Sequence, residues 1–241
     1  MFLFQTARGN SSAPGVKRRS WKVQLLELVA FLVIISPLSA LAVYAFRPES
    51  LDFAFVASAS MVRDVLLVGV VVWLLRRNAE PLSWLGVTGA NFWREVRLGI
   101  LLFPPFFLGT AVLQMALRSL GLSGLSEPPS YLMPIGGSQI ALGLLFIAVV
   151  AVSEEIIFRG YLLLRLRAIT GSQATALVLA SLVFALGHGY QGSAGVVTVG
   201  TMGVLLGLVY LWRGSLTAPI VMHFLQNFIG IVVVPLLATG T

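Results

Sequence analysis

Seven stretches of this chain are apolar for about the thickness of a bilayer, and turn-forming residues separate them. The runs fall at roughly 23–46, 53–75, 96–118, 139–163, 173–188, 195–212 and 216–237. A helix needs about 20 apolar residues to cross the hydrocarbon. The breaks read RPES, RRNAEPLS, GLSGLSEPPS, ITGSQ, GYQGSAG and WRGSLTAP, rich in the residues that punctuate helices. The pattern predicts an all-α polytopic membrane protein with about seven transmembrane helices. The long fourth run and the short fifth make six to eight compatible. No repeat of solenoid period is evident, and no separable soluble domain.

Composition strengthens this reading. Hydrophobic residues make up 58% and charged residues 10% of 241, where a soluble domain carries about 25% charged residues. The absence of cysteine excludes disulfides, thiolate zinc sites and a thiol nucleophile. A net charge of +7 would suggest nucleic acid only if its placement were ignored, and no nucleic-acid partner is expected. With the N-terminus cytoplasmic, thirteen basic residues fall inside: Arg8, Lys17, Arg18, Arg19, Lys22, Arg76, Arg77, Arg94, Arg97, Arg159, Arg165, Arg167 and Arg213. Only Arg47 and Arg118 fall outside, with Arg63 within a span. That asymmetry is a positive-inside signal, and it predicts an integral protein of the plasma (inner) membrane. Seven spans would put the C-terminus outside; an even number would return it.

Residues 1–22 read as a basic, disordered cytoplasmic arm. A signal peptide competes, since Ala40 and Ala42 have cleavage-site spacing. The apolar run that follows the arm is too long for a signal core and suits a spanning helix.

Four places carry polar groups at membrane depth: Arg63-Asp64, Glu154-Glu155 with Arg159, His188, and His223 with Asn227. Both histidines of the chain are among them. Glu155 and Arg159 are four apart with the acid N-terminal, the favourable order for an ion pair. On an α-helix Glu154 points about 100° away from Glu155, so one arginine leaves one carboxylate without a local partner. Glu154 and His188 lie 17 residues before and after Gly171 in the turn ITGSQ. An antiparallel hairpin therefore sets them at one level, roughly 25 Å from the turn. His223 and Asn227 share one face and could present N–H donors to a developing oxyanion.

Each feature has a plainer reading. A lone intramembrane histidine often only packs helices, His223 with Asn227 could be interhelical hydrogen-bond glue, and the two glutamates could form a structural ion-pair site. Arg63-Asp64 reads as structural pairing.

Among intramembrane proteases, a helical zinc site needs H-E-x-x-H, which is absent. An aspartyl dyad needs two intramembrane aspartates, and only Asp64 qualifies. A rhomboid-like serine protease needs a serine in a G-x-S-G setting with a histidine partner, and the chain is read as lacking that tetrapeptide. A glutamate with histidines and an asparagine remains.

SEEIIFRG resembles the E-E-x-x-x-R motif of the CPBP family, the type II CAAX prenyl endopeptidases and their bacterial relatives, including lysostaphin resistance protein A-like proteins. FALGH is similar to its F-x-x-x-H motif, and HFLQN to its H-x-x-x-N motif. The resemblance covers residues 139–237, which would form the catalytic transmembrane core. Residues 23–138 carry helices without a matched motif. The resemblance implies a membrane-embedded endopeptidase in which Glu154 and His188 activate water, His223 and Asn227 hold the oxyanion, and Glu155 and Arg159 support the glutamate. Its partners would be the bilayer and a membrane-associated or lipidated peptide; prenylation of the substrate and the oligomeric state stay open. No cofactor is expected, although carboxylates with neutral imidazoles could ligate zinc. A catalytically silent scaffold or immunity protein, or a proton-coupled transporter, are the competing readings.

Overall fold

The computed structural model describes residues 20–45, 52–89, 91–125 and 129–239, with the side chains of 34–45, 130, 238 and 239 left aside. Most of the basic arm, and Arg47, therefore lie outside the described residues.

Every apolar run becomes helical. The helices are α1 (Trp21–Ala45), α2 (Phe53–Arg77), α3 (Phe92–Ser119), α4 (Gly136–Glu154), α5 (Leu163–Thr170), α6 (Gln173–Leu186), α7 (Gly192–Arg213), α8 (Thr217–Asn227) and α9 (Val234–Thr239). Two π-helical segments complete them: Glu155–Leu162 joins α4 to α5, and Phe228–Val233 joins α8 to α9. The described residues contain no strand. The protein is thus an all-α integral membrane protein. Among the described residues, five helical stretches are long and apolar enough to cross a bilayer, namely 53–77, 92–119, 136–170, 189–213 and 217–237, whereas α6 has only 14 residues.

Local chemistry sets the boundaries. The Asp52 carboxylate accepts the Phe55 N–H at 2.7 Å at the start of α2, and Ser172 accepts from Thr175 at 3.2 Å at the start of α6. These side chains satisfy amide groups that a helix start leaves free. The turn between α5 and α6 uses Gly171 at φ 69°, where only glycine is unstrained.

The continuous rod of α4, its π segment and α5 is central. It packs on α2 and α8 through α4, and on α1 and α6 through α5. In turn α6 packs along α7, and α3 lies across α7 and α8. The last contact is close: a Cβ on Gly99 would sit 2.8 Å from both the Ala218 carbonyl oxygen and the Val221 Cβ.

One end of the bundle gathers the long-range polar ties. Glu27 accepts from Asn78 at 2.9 Å, Arg165 grips Glu80 with both terminal nitrogens, and Arg213 pairs with Glu95 at 2.6 Å. There the Gly86 carbonyl also accepts the Leu216 N–H at 3.0 Å. All five tryptophans belong to the helix ends and loop of this same end: Trp21, Trp73, Trp84, Trp93 and Trp212, each exposed. Exposed aromatic side chains at such a level mark a membrane–water interface.

Bulk at Gly99 must push α3 off α8. Gly99→Leu is expected to lower stability by about 1–3 kcal/mol, read as a lower melting temperature in detergent. Gly109→Leu, where nothing lies within 4 Å of the added carbon, is the control expected to leave it unchanged. Equal melting temperatures for the two variants would disprove the close approach.

Candidate active site

Glu155 is wholly buried, and its Oε1 accepts two hydrogen bonds: from Arg159 Nη1 at 2.7 Å and from His223 Nδ1 at 2.8 Å. The expected Glu155–Arg159 pair is present, and it extends to a histidine 68 residues away on α8. Arg159 also lies over the face of the Phe184 ring, 4.4 Å from its centre, a contact that favours a cation removed from water.

Glu154 has a different setting. Its Oε2 lies 3.6 Å from His223 Nε2 and has no hydrogen-bond partner among the described residues. One carboxylate is therefore committed to the arginine and the other is not, as the sequence reading requires. The two nitrogens of His223 consequently face two different carboxylates. With Nδ1–H donated to Glu155, Nε2 carries the lone pair, or the second proton once the ring is charged. A carboxylate behind an imidazole fixes its tautomer and supports the imidazolium that forms when it takes a proton.

The backbone explains how neighbouring glutamates find separate partners. At Glu155 the chain leaves α-helical geometry for an eight-residue π segment. The wider coil of i→i+5 bonding is rare and occurs mostly at functional sites. The angular separation expected from a 3.6-residue period thus holds only up to this point. A second π segment begins at Phe228, directly after Asn227.

His188 lies just beyond the end of α6, and its Nδ1 is 2.9 Å from the Phe184 carbonyl oxygen. Donation to that carbonyl leaves Nε2 as the free nitrogen. The Phe184 ring stands between the two histidines, with centroids 4.8 Å from His188 and 6.0 Å from His223, and a T-shaped contact with Phe158 at 5.0 Å. Glu154, Glu155, Arg159 and His223 are thus joined directly, and His188 adjoins them through Phe184. Asn227 closes α8 one turn after His223, half-buried and with no hydrogen bond among the described residues.

Three features escaped the sequence reading. Phe184, read only as the first residue of the F-x-x-x-H motif, is the packing hub of the site. Asp64 pairs with Arg63 at 2.8 Å as expected, yet its carboxylate is almost fully buried, with Oδ2 unpartnered among the described residues. Finally, the chain does hold one G-x-S-G tetrapeptide, Gly121–Gly124. Its Ser123 hydroxyl lies 3.1 Å from that of Ser193 and accepts the Ser193 N–H at 3.0 Å. No hydrogen bond links Ser123 to a histidine, so a serine nucleophile is set aside by geometry and not by absence of the motif.

Among the described residues no three His, Cys, Asp or Glu side chains are grouped to hold an ion. Both Nδ1 atoms are engaged, His188 on a carbonyl and His223 on Glu155, which leaves Nε2 of each ring as the nitrogen available for ligation.

The fold and site together define an α-helical membrane protein with a carboxylate–imidazole centre buried among its helices. Residues 136–229 match the family described as type II CAAX prenyl endopeptidase Rce1-like, a span of less than half the chain that contains all three motifs. At the level of that family, the matched segment is similar to CAAX-type intramembrane proteases. Comparison with the curated proteins finds no match, and comparison with the solved structures finds none.

Removing the arginine leaves Glu155 buried with only His223 for support. Arg159→Leu is expected to destabilise the protein by about 3–5 kcal/mol, measured by thermal or denaturant unfolding in detergent. Adding Glu155→Gln to it should recover part of the loss. A double variant no more stable than Arg159→Leu alone would refute the pairing as the source.

Proposed function

We propose that this protein is a membrane-embedded endopeptidase that hydrolyses a peptide bond of a membrane-associated or lipidated peptide. The observation that carries the reading is the division of labour between adjacent glutamates. Glu155 is bonded through Oε1 to Arg159 and His223, while Glu154 has no arginine of its own and lies beside the His223 Nε2. A carboxylate held in apolar surroundings without an arginine of its own is suited to accept a proton.

In this reading Glu154, with the free Nε2 of His188, takes a proton from water as the water oxygen bonds to the scissile carbonyl carbon. His223, backed by Glu155, and Asn227 donate to the oxygen that becomes negative. The C–N bond then breaks as the held proton passes to the leaving amine. Arg159 acts at one remove by fixing Glu155. No metal enters these steps. The N-terminus lies on the cytoplasmic side of the plasma membrane, by the placement of the basic residues.

The test is cleavage of a fluorogenic peptide library by the detergent-purified chain, with and without a strong chelator. Glu154→Gln is expected to cut the rate by about 10²–10⁴-fold without lowering the melting temperature, and the chelator is expected to leave the wild-type rate unchanged. A Glu154→Gln variant with full activity would refute the role of this residue, and loss of wild-type activity under chelator would refute the metal-free mechanism.

A further inference from the structure

The end of the bundle that holds the tryptophans has a cavity unconnected with the carboxylate–imidazole centre. It measures about 300 Å³ and is lined by Arg94, Arg97, Leu98, Leu101, Trp212 and Arg213. Its walls are the first turns of α3 and the last turn of α7. On α3 the lining residues recur at three- and four-residue spacing, so they form one stripe on one helix face.

The three arginines are not equivalent. Arg213 is bound to Glu95 through both Nε and Nη2, and its charge is met there. Arg97 reaches only a backbone carbonyl, that of Trp93, at 3.3 Å. Arg94 has neither a hydrogen bond nor an ion pair with any described residue, and both are exposed. The cavity thus carries two positive charges with no carboxylate to balance them. The Arg213–Glu95 pair forms its firm back wall and ties α3 to α7.

We propose that this cavity binds the phosphodiester headgroup of an anionic phospholipid, with Arg94 and Arg97 as its ligands. The occupant follows from what surrounds the charges. Below the arginines the stripe turns apolar at Leu98 and Leu101, and Leu101 is 72% exposed, so a track for an acyl chain leads from the charges towards the bilayer interior. Beside it stand the exposed rings of Trp93 and Trp212, at the level where aromatic side chains meet headgroups. A free phosphate would use the arginines and ignore the track. Basic pockets between transmembrane helices take anionic headgroups through the same combination. Because α3 also packs against α8, which carries His223, lipid at this position braces the helix pair behind the proposed active site.

The experiment titrates the full chain in detergent with phosphatidylglycerol or phosphatidylcholine of equal acyl length. Bound lipid is counted by native mass spectrometry, and glycerol 3-phosphate serves as the chain-free competitor. Wild type is expected to retain phosphatidylglycerol over phosphatidylcholine. Arg94→Gln/Arg97→Gln should weaken phosphatidylglycerol binding by about tenfold or more, while Arg76→Gln/Arg77→Gln, exposed at the same end, should leave it unchanged. Equal retention of the two lipids, an unaffected Arg94/Arg97 variant, or an equal loss in the Arg76/Arg77 variant would overturn the site. Displacement by glycerol 3-phosphate at concentrations similar to the lipid would overturn the lipid as its occupant.

Discussion

A carboxylate with no access to water has to be supplied with donors by the protein, and Glu155 sets that requirement for the whole molecule. Its Oε1 is met by Arg159 from its own helix and His223 from α8. The first partner is local, four residues on within the π segment, and the second needs α8 to stand against the junction of α4 with that segment. Phe184 closes the arrangement from α6 by covering the arginine and separating the histidines. Four helical segments thus converge on one buried charge, whose Oε1 they satisfy while Oε2 has no partner among the described residues. Glu154 inherits its freedom from that convergence, since its neighbour has absorbed the arginine.

The polar ties at the tryptophan-bearing end do a different job. Asn78–Glu27, Arg165–Glu80 and Arg213–Glu95 link α1 to the end of α2, the loop after α2 to α5, and α3 to α7. The last two fasten the part of the chain before residue 139 to the segment that contains the motifs. Arg165 and Arg213 counted towards topology in the sequence, yet Arg165 is almost fully buried and grips a glutamate. A basic residue near a span end can therefore serve orientation during insertion and cohesion after folding.

Hydrophobic run length was enough to place the helices, because in lipid the apolar span is itself the physical cause of the element. The pairing of Glu155 with Arg159 was legible because a four-residue separation is local. The turn at Gly171 was legible from its glycine. The π segments were not, since a shift from i→i+4 to i→i+5 bonding leaves no mark on composition. Glu27, Glu80 and Glu95 were passed over because their partners lie 51, 85 and 118 residues away. The bond from His223 to Glu155 was missed for the same reason: two polar residues in separate spans can be seen as candidates, but only packing decides which nitrogen meets which oxygen.

The brevity of α6 has a consequence for supply. Fourteen residues rise about 21 Å, well short of a hydrocarbon layer of about 30 Å, so the helix stops before it has crossed. The remaining depth is taken up by the glycine-flanked turn at His188, whose exposed polar backbone is tolerated at membrane depth only where it borders a wet space. Hydrolysis consumes one water per bond broken, and a bundle of full-length helices would seal its centre against that reagent. On the proposed function, the end of α6 at His188 is where that reagent would have to arrive.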